Sequence, residues 1–235
     1  MAKKQLNQRT LAKHRKRFLR IFPDGFYDER YIAWEHAYKW KAHKLWINTL
    51  GQEEFKRLIR QREFPEIATR ALAVESRCTP PFLFSFEKMA LRDALKTSNG
   101  ASIFADGLYN LLHGKSPLKE RFVEWVIAVS ELPRKQSRVL SWPIVTFYPY
   151  IAQPKKHMIM KPTAMRVAAE ELGFDLEYSS KPSFTTYERL LKFGDLTREA
   201  IEDLKPRNNH DVQTFLWVIG SAEYERLEAE LRGEF

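Results

Sequence analysis

The chain holds a single cysteine, Cys78, among 235 residues. One thiol excludes an internal disulfide framework and a thiolate-held iron–sulfur cluster. Cys78 therefore reads as a small buried side chain before a nucleophile. Long apolar runs are missing too, and nothing approaches the roughly 20 residues that a membrane-spanning helix needs. There is no Gly-rich phosphate loop, no dinucleotide fingerprint, no zinc spacing of Cys and His and no Ser nucleophile elbow. The N-terminus is basic but has no apolar signal core. A cytoplasmic monomer is expected, with no membrane partner, no metal and no cofactor.

Acid is absent where base is densest. The first twenty residues carry Lys3, Lys4, Arg9, Lys13, Arg15, Lys16, Arg17 and Arg20 without one Asp or Glu. The whole chain has a formal charge of +9 and a pI near 9.5. Such an excess suits a polyanion, nucleic acid before membrane. Lys13, Arg15, Lys16 and Arg17 are candidate phosphate contacts, and a solubilising tail is the bland alternative. The composition divides the chain into a basic N-terminal extension, 1–24, and a domain over 25–235 whose lobes sequence does not separate.

What is present is helical periodicity. A hydrophobic content of 44% supports a real core. Tyr27, Tyr31, Trp34, Tyr38 and Leu45 recur at helical spacing and predict one buried face. Further stripes run through 55–59, 65–76, 83–97, 101–113 and 117–131, with Gly51, Gly100 and Gly114 as stops. Pro143 and Pro149 predict a broken helix over 132–154. Later helices are expected over 162–173, 184–204 and from 210 onward, the last interrupted near Gly220. The fold class is all-α, with about ten helices, and the aromatics are read as core.

Three segments in this order carry a more specific pattern: "SFEKMAL", "LPRKQSRV" followed by "KPTAMRVAAEELG", and "HDVQTFLWVIG". Together they resemble the helix-hairpin-helix DNA glycosylase superfamily, which includes endonuclease III and the adenine glycosylases. Leu132-Pro133 matches the pair that opens the family hairpin. Arg166, Val167, Leu172 and Gly173 follow the helix that carries the family's catalytic aspartate. Asp211, Leu216, Ile219 and Gly220 follow its last helix, and Glu87 falls at the catalytic glutamate of the adenine glycosylases. Two departures stand out. "RKQSR" replaces the glycine-containing hairpin turn, and Lys161 occupies the aspartate's place.

The resemblance implies a two-lobed helical domain and a double-stranded DNA partner. It also implies extrusion of a damaged or modified base, with a modified phage base and antiviral defence as one niche. Cleavage of the base–sugar bond passes through an oxocarbenium-like state that a carboxylate stabilises. With Lys161 in the aspartate's place, Glu87 and Asp211 become the candidate carboxylates. Lys161 itself has three readings: a phosphate contact, a Schiff-base amine or a solvated charge. Arg134, Lys135, Arg138 and Arg166 are candidate DNA contacts, and Gln213 and Trp217 candidate walls of a base pocket. The alternative is a non-catalytic DNA-binding module on the same scaffold.

Overall fold

The computed structural model describes residues 6–233, so Lys3 and Lys4 lie outside it. The described residues form helices joined by loops, without a strand. The chain divides into two compact units. Among the described residues, the first comprises 6–37, 160–180 and 185–233, and the second comprises 38–159 with 181–184.

The first unit begins with α1 (Gln8–Ile21). Asn7 caps it, its side chain accepting from the backbone N–H groups of Arg9 and Thr10. Leu11, Phe18 and Ile21 are buried along one face. Most of segment 1–24 is thus a packed helix rather than an appendage. The short α2 (Glu29–Tyr31) leads into a π-helical turn, Ile32–His36. The second unit takes up with α3 (Ala37–Leu50).

That turn explains why the predicted aromatic face fails. A π turn holds an extra residue and rotates the stripe. The residues buried here are Tyr31, Glu35, Lys39, Ala42, Trp46 and Leu50. Trp34 and Tyr27 are exposed, and the latter precedes the helix.

The second unit continues with α4 (Gln52–Arg60), α5 (Phe64–Ser76), α6 (Ser85–Leu95), α7 (Ser98–His113), α8 (Leu118–Glu131) and α9 (Trp142–Ala152). Helix α7 packs against α4, α5, α6, α8 and α9. Every residue of α9 is buried, so this helix is the core of its unit.

Pro143 opens α9, but Pro149 lies inside it and does not break it. Proline has no N–H to donate to the carbonyl four residues back, which is that of Val145. The indole Nε1 of Trp125 donates to that oxygen at 2.9 Å. The orphaned acceptor is thereby satisfied from a neighbouring helix, and the apolar surroundings keep the segment helical.

The first unit resumes with α10 (Pro162–Glu171) and, from residue 185, most of α11 (Phe184–Ala200). Helices α12 (Asn209–Gly220) and α13 (Ala222–Arg232) close it. The interruption expected near Gly220 is therefore a true helix break. Helices α10 and α12 pack closely, and α1 lies against both α12 and α13. A Cβ on Gly220 would stand 1.9 Å from the carbonyl oxygen of Ala164. The bare glycine lets the two backbones touch.

Candidate nucleic-acid interface

Glu87 is the third residue of α6 and only 3% exposed. Its Oε2 accepts from the backbone N–H of Phe84 at 3.0 Å, and its Oε1 accepts from the Ser141 hydroxyl at 2.6 Å. The first bond is half of a capping box. The second ties the start of α6 to Ser141, the N-cap of α9. Both oxygens are thus engaged in holding two helix starts. The carboxylate that the resemblance places at a catalytic position thus has a structural task in the fold.

Asp211 is fully buried in the first turn of α12. It accepts from the Tyr31 hydroxyl at 2.5 Å, and from the backbone N–H and Nε of Arg207 at 2.7 and 2.9 Å. Arg207 also reaches the carbonyl of Phe26 at 2.9 Å and lies over the rings of Tyr27 and Tyr31. Burial, then the adjacent Asp211 charge, raises the Tyr31 phenol well above its ordinary pKa, so Tyr31 is a permanent donor. The Asp211 carboxylate is the centre of a clamp between α12 and the residues around α2. Both of its oxygens accept hydrogen bonds inside the fold.

A third buried carboxylate, Glu35, lies on the π turn, where the sequence pattern gives no sign of it. It accepts from the Tyr224 hydroxyl at 2.7 Å, and the Thr214 hydroxyl approaches at 3.5 Å. The helical stripe obscured it, because a charged residue on a buried face breaks the pattern used to find that face.

Lys161 is half-buried at the N-cap of α10, on extended backbone. Gln213 is buried, and its amide reaches the Met165 sulfur at 3.2 Å between α12 and α10. Trp217 is half-buried on the same helix. Gln213 is thus part of a helix–helix seam. Arg166 is exposed and lies over the Tyr178 ring at 4.9 Å.

The basic segment is split by the two faces of α1. Arg17, expected as a phosphate contact, is buried and pairs with Glu228 at 3.0 Å. Arg15 pairs with Asp203, and Arg20 also with Glu228. His14 is buried and donates through Nε2 to Glu171 at 2.9 Å. Burial lowers the His14 pKa, so the donor is a neutral imidazole at neutral pH, while that bond holds Glu171 below the usual carboxylate range.

Arg9, Lys13 and Lys16 remain exposed and form no ion pair within 4 Å among the described residues, although the Lys13 charge is felt by Glu171. They stand at spacings of four and three, hence on one stripe. They line a groove of about 610 Å³ between α1 and α13, which Ala12, Arg17, Arg20, Glu225, Glu228 and Ala229 complete. In the second unit, Arg134, Lys135 and Arg138 are all exposed on the loop over 132–141. That loop, ten residues long, stands where the resemblance expects a tight hairpin.

No group of His, Cys, Asp and Glu among the described residues is arranged to hold a metal. Cys78 is buried, and burial pushes its thiol up to about 12, which makes it a poor nucleophile. No protein-family model, no curated protein and no solved structure matches this chain.

Proposed function

We propose that this protein binds double-stranded DNA through its phosphates, with the exposed stripe of α1 as the primary contact. The observation that supports it is the trio Arg9, Lys13 and Lys16, exposed beside an open groove without a close ion pair while their basic neighbours are internally paired. From Arg9 to Lys16 the helix rises about 10 Å. Three nucleotides of one strand of a duplex rise by about the same distance, so each cation has a phosphate within reach. No base edge need be read, and the binding is non-sequence-specific.

Titration of a labelled 20-base-pair duplex at several salt concentrations tests this. The logarithm of the affinity falls with that of salt by about 0.9 for each phosphate neutralised. Replacing Arg9, Lys13 and Lys16 together by alanine flattens that slope by up to about 3 and weakens binding at least ~10-fold at low salt. Unchanged affinity in the triple variant overturns the assignment.

Base excision is the second reading. What favours it is that α10 and α12, two of the segments carrying the glycosylase resemblance, cross in backbone contact at Gly220, with Lys161 at the mouth of α10. In this reading Lys161 acts as the amine or the phosphate contact, because Glu87 and Asp211 are committed elsewhere. Incubation with duplexes bearing modified bases, followed by alkali, reveals strand breaks at abasic sites. Borohydride trapping that vanishes in Lys161→Ala identifies a Schiff base. No breaks across a broad panel of modified bases removes this reading and leaves DNA binding intact.

A further inference from the structure

The second unit carries positive charge that the α1 contact does not use. Helices α7 and α9 finish side by side, where α8 begins. The Gln153 amide, just past α9, donates to the carbonyl of Leu112 at 3.0 Å. Arg121 of α8 donates through Nε to the carbonyl of Ser116 at 2.8 Å, and through Nη1 to that of Leu111. Two turns are thereby tied together. One is 114–117, between α7 and α8. The other is 153–157, in which the N–H groups of Lys156 and His157 bond to the carbonyl of Gln153 at 2.9 and 3.1 Å.

Lys115 stands in the first turn, and Lys155 and Lys156 stand in the second. Each lies within three residues of the Gln153–Leu112 bond. All three are exposed and form no ion pair within 4 Å among the described residues. Lys156 and Arg121 are close enough to act on two imidazoles at once. Burial first, then these two charges, lowers the pKa of His113, and Glu53 from α4 opposes them. The same two cations act, after burial, on His157. Of the nearby acids on α8, Glu124 is bonded to Asn110, and Glu120 stands exposed in the first turn.

Cations at helix C-termini commonly serve the last carbonyls. Here the carbonyls of Asn110, Leu111 and Leu112 already accept from Gly114, Arg121 and Gln153, and that of Pro149 accepts from the Gln153 N–H. The three ammonium groups are left for an outside anion. They stand on exposed turns, which suits an extended polyanion running past them, a phosphate backbone, more than a small enclosed anion. We propose that these turns form a second phosphate contact for double-stranded DNA, made by Lys115, Lys155 and Lys156 around the anchored Arg121. The inference rests on the duplex reading above, with residues that belong to the other unit.

The test titrates the labelled duplex against the full chain. Replacing Lys115, Lys155 and Lys156 together by alanine flattens the salt slope by up to about 3 and weakens binding at least ~10-fold at low salt. Replacing Arg60, Arg77 and Lys96, which are exposed elsewhere in this unit, removes the same charge and leaves the affinity within about twofold. All six side chains are exposed, so both variants keep the wild-type melting temperature, which circular dichroism checks. In the Arg9, Lys13 and Lys16 variant, residual binding persists, and it disappears when the three lysines are removed as well. A second readout is local. The imidazole resonances of His113, assigned through His113→Gln, shift when duplex is added to wild type and stay in place in the lysine variant. The proposal is overturned if the lysine variant keeps the wild-type slope and affinity, if the control variant weakens binding equally, or if His113 does not respond to duplex. In each of these cases the α1 contact stands, provided that the Arg9, Lys13 and Lys16 variant still loses affinity. No duplex binding by wild type at 50 mM salt overturns both readings, and polyglutamate shifting His113 in its place marks the surface as one for acidic protein.

Discussion

At the scale of single residues, the two carboxylates expected to be catalytic are buried and hydrogen-bonded inside the fold, and substitutions separate a structural from a catalytic role. Removing Asp211 as Asp211→Ala leaves the Tyr31 hydroxyl and Arg207 without their acceptor. Breaking one side of a buried, hydrogen-bonded pair costs about 3–5 kcal/mol. Because Arg207 stays partly open to water, we expect the lower end, read as a shift of the urea midpoint. Tyr31→Phe removes one hydrogen bond to a charged group and costs about 1.5–3 kcal/mol. Glu87→Gln keeps an acceptor for the Phe84 N–H and costs under ~1 kcal/mol, whereas Glu87→Ala costs about 1–2 kcal/mol through the lost cap. A catalytic Glu87 would give the reverse pattern, with Gln as damaging to activity as Ala.

His157 makes a pH prediction. It is buried just after α9, and desolvation, then the nearby Arg121 and Lys156 charges, lowers its pKa from 6.5 to about 3. The folded protein therefore resists protonating it, while the unfolded chain does not. Its contribution is complete above pH ~6.5 and is lost progressively as pH falls toward ~3. At about 1.4 kcal/mol for each pH unit between the two values, the total is a few kcal/mol. His157→Gln is expected to flatten the decline of stability over that window, followed by chemical denaturation at several pH values. An unchanged profile would assign acid sensitivity to other groups.

At the scale of elements, the contact of α10 with α12 depends on one missing methyl group. Gly220→Ala would put a Cβ 1.9 Å from a backbone oxygen, and backbone cannot swing aside as a side chain does. The helices must separate, at an expected cost of more than about 2 kcal/mol. A thermal melt reports it. Gly107 offers a milder comparison, since its Cβ would meet the Ala128 methyl at 2.8 Å and the Trp125 ring.

Much of this level was legible beforehand. Caps and stops marked most helix ends, and the break at Gly220 was visible as a glycine after an apolar stripe; Gly100, expected as a stop, is instead the third residue of α7, which Thr97 caps. Pro149 misled because a proline's effect depends on what its orphaned carbonyl finds, and Trp125, twenty positions before Val145 in sequence, is not a local signal. The face of residues 27–45 misled because a π turn shifts the phase by one residue and leaves no compositional mark.

At the scale of the whole molecule, the charge excess is distributed unevenly, and α1 has two faces with different duties. Phe18 alone is packed against Phe22, Phe26, Tyr31 and Phe215. Deleting residues 1–24 should therefore unfold the first unit rather than trim a tail. Circular dichroism would show lost helicity well beyond the 14 residues of α1. A truncated chain with an intact cooperative melt would restore the picture of a separable extension.

The sequence by itself determined the all-helical class, most helix boundaries, the absence of a disulfide framework and the location of the densest positive charge. These follow from local propensities, periodicity and composition, which act over one or two turns. Only the tertiary structure decided which charges are spent inside and which face out. Arg17 and Lys16 are neighbours of the same chemistry, yet one is buried against Glu228 and the other is open to solvent. The same holds for Glu87 and Asp211, whose partners Ser141 and Tyr31 lie 54 and 180 positions away. It holds equally for Phe84 and Phe86, apolar residues that packing left at the surface. Pairing and burial are set by which segments meet, and a linear pattern of residue types carries no record of that meeting.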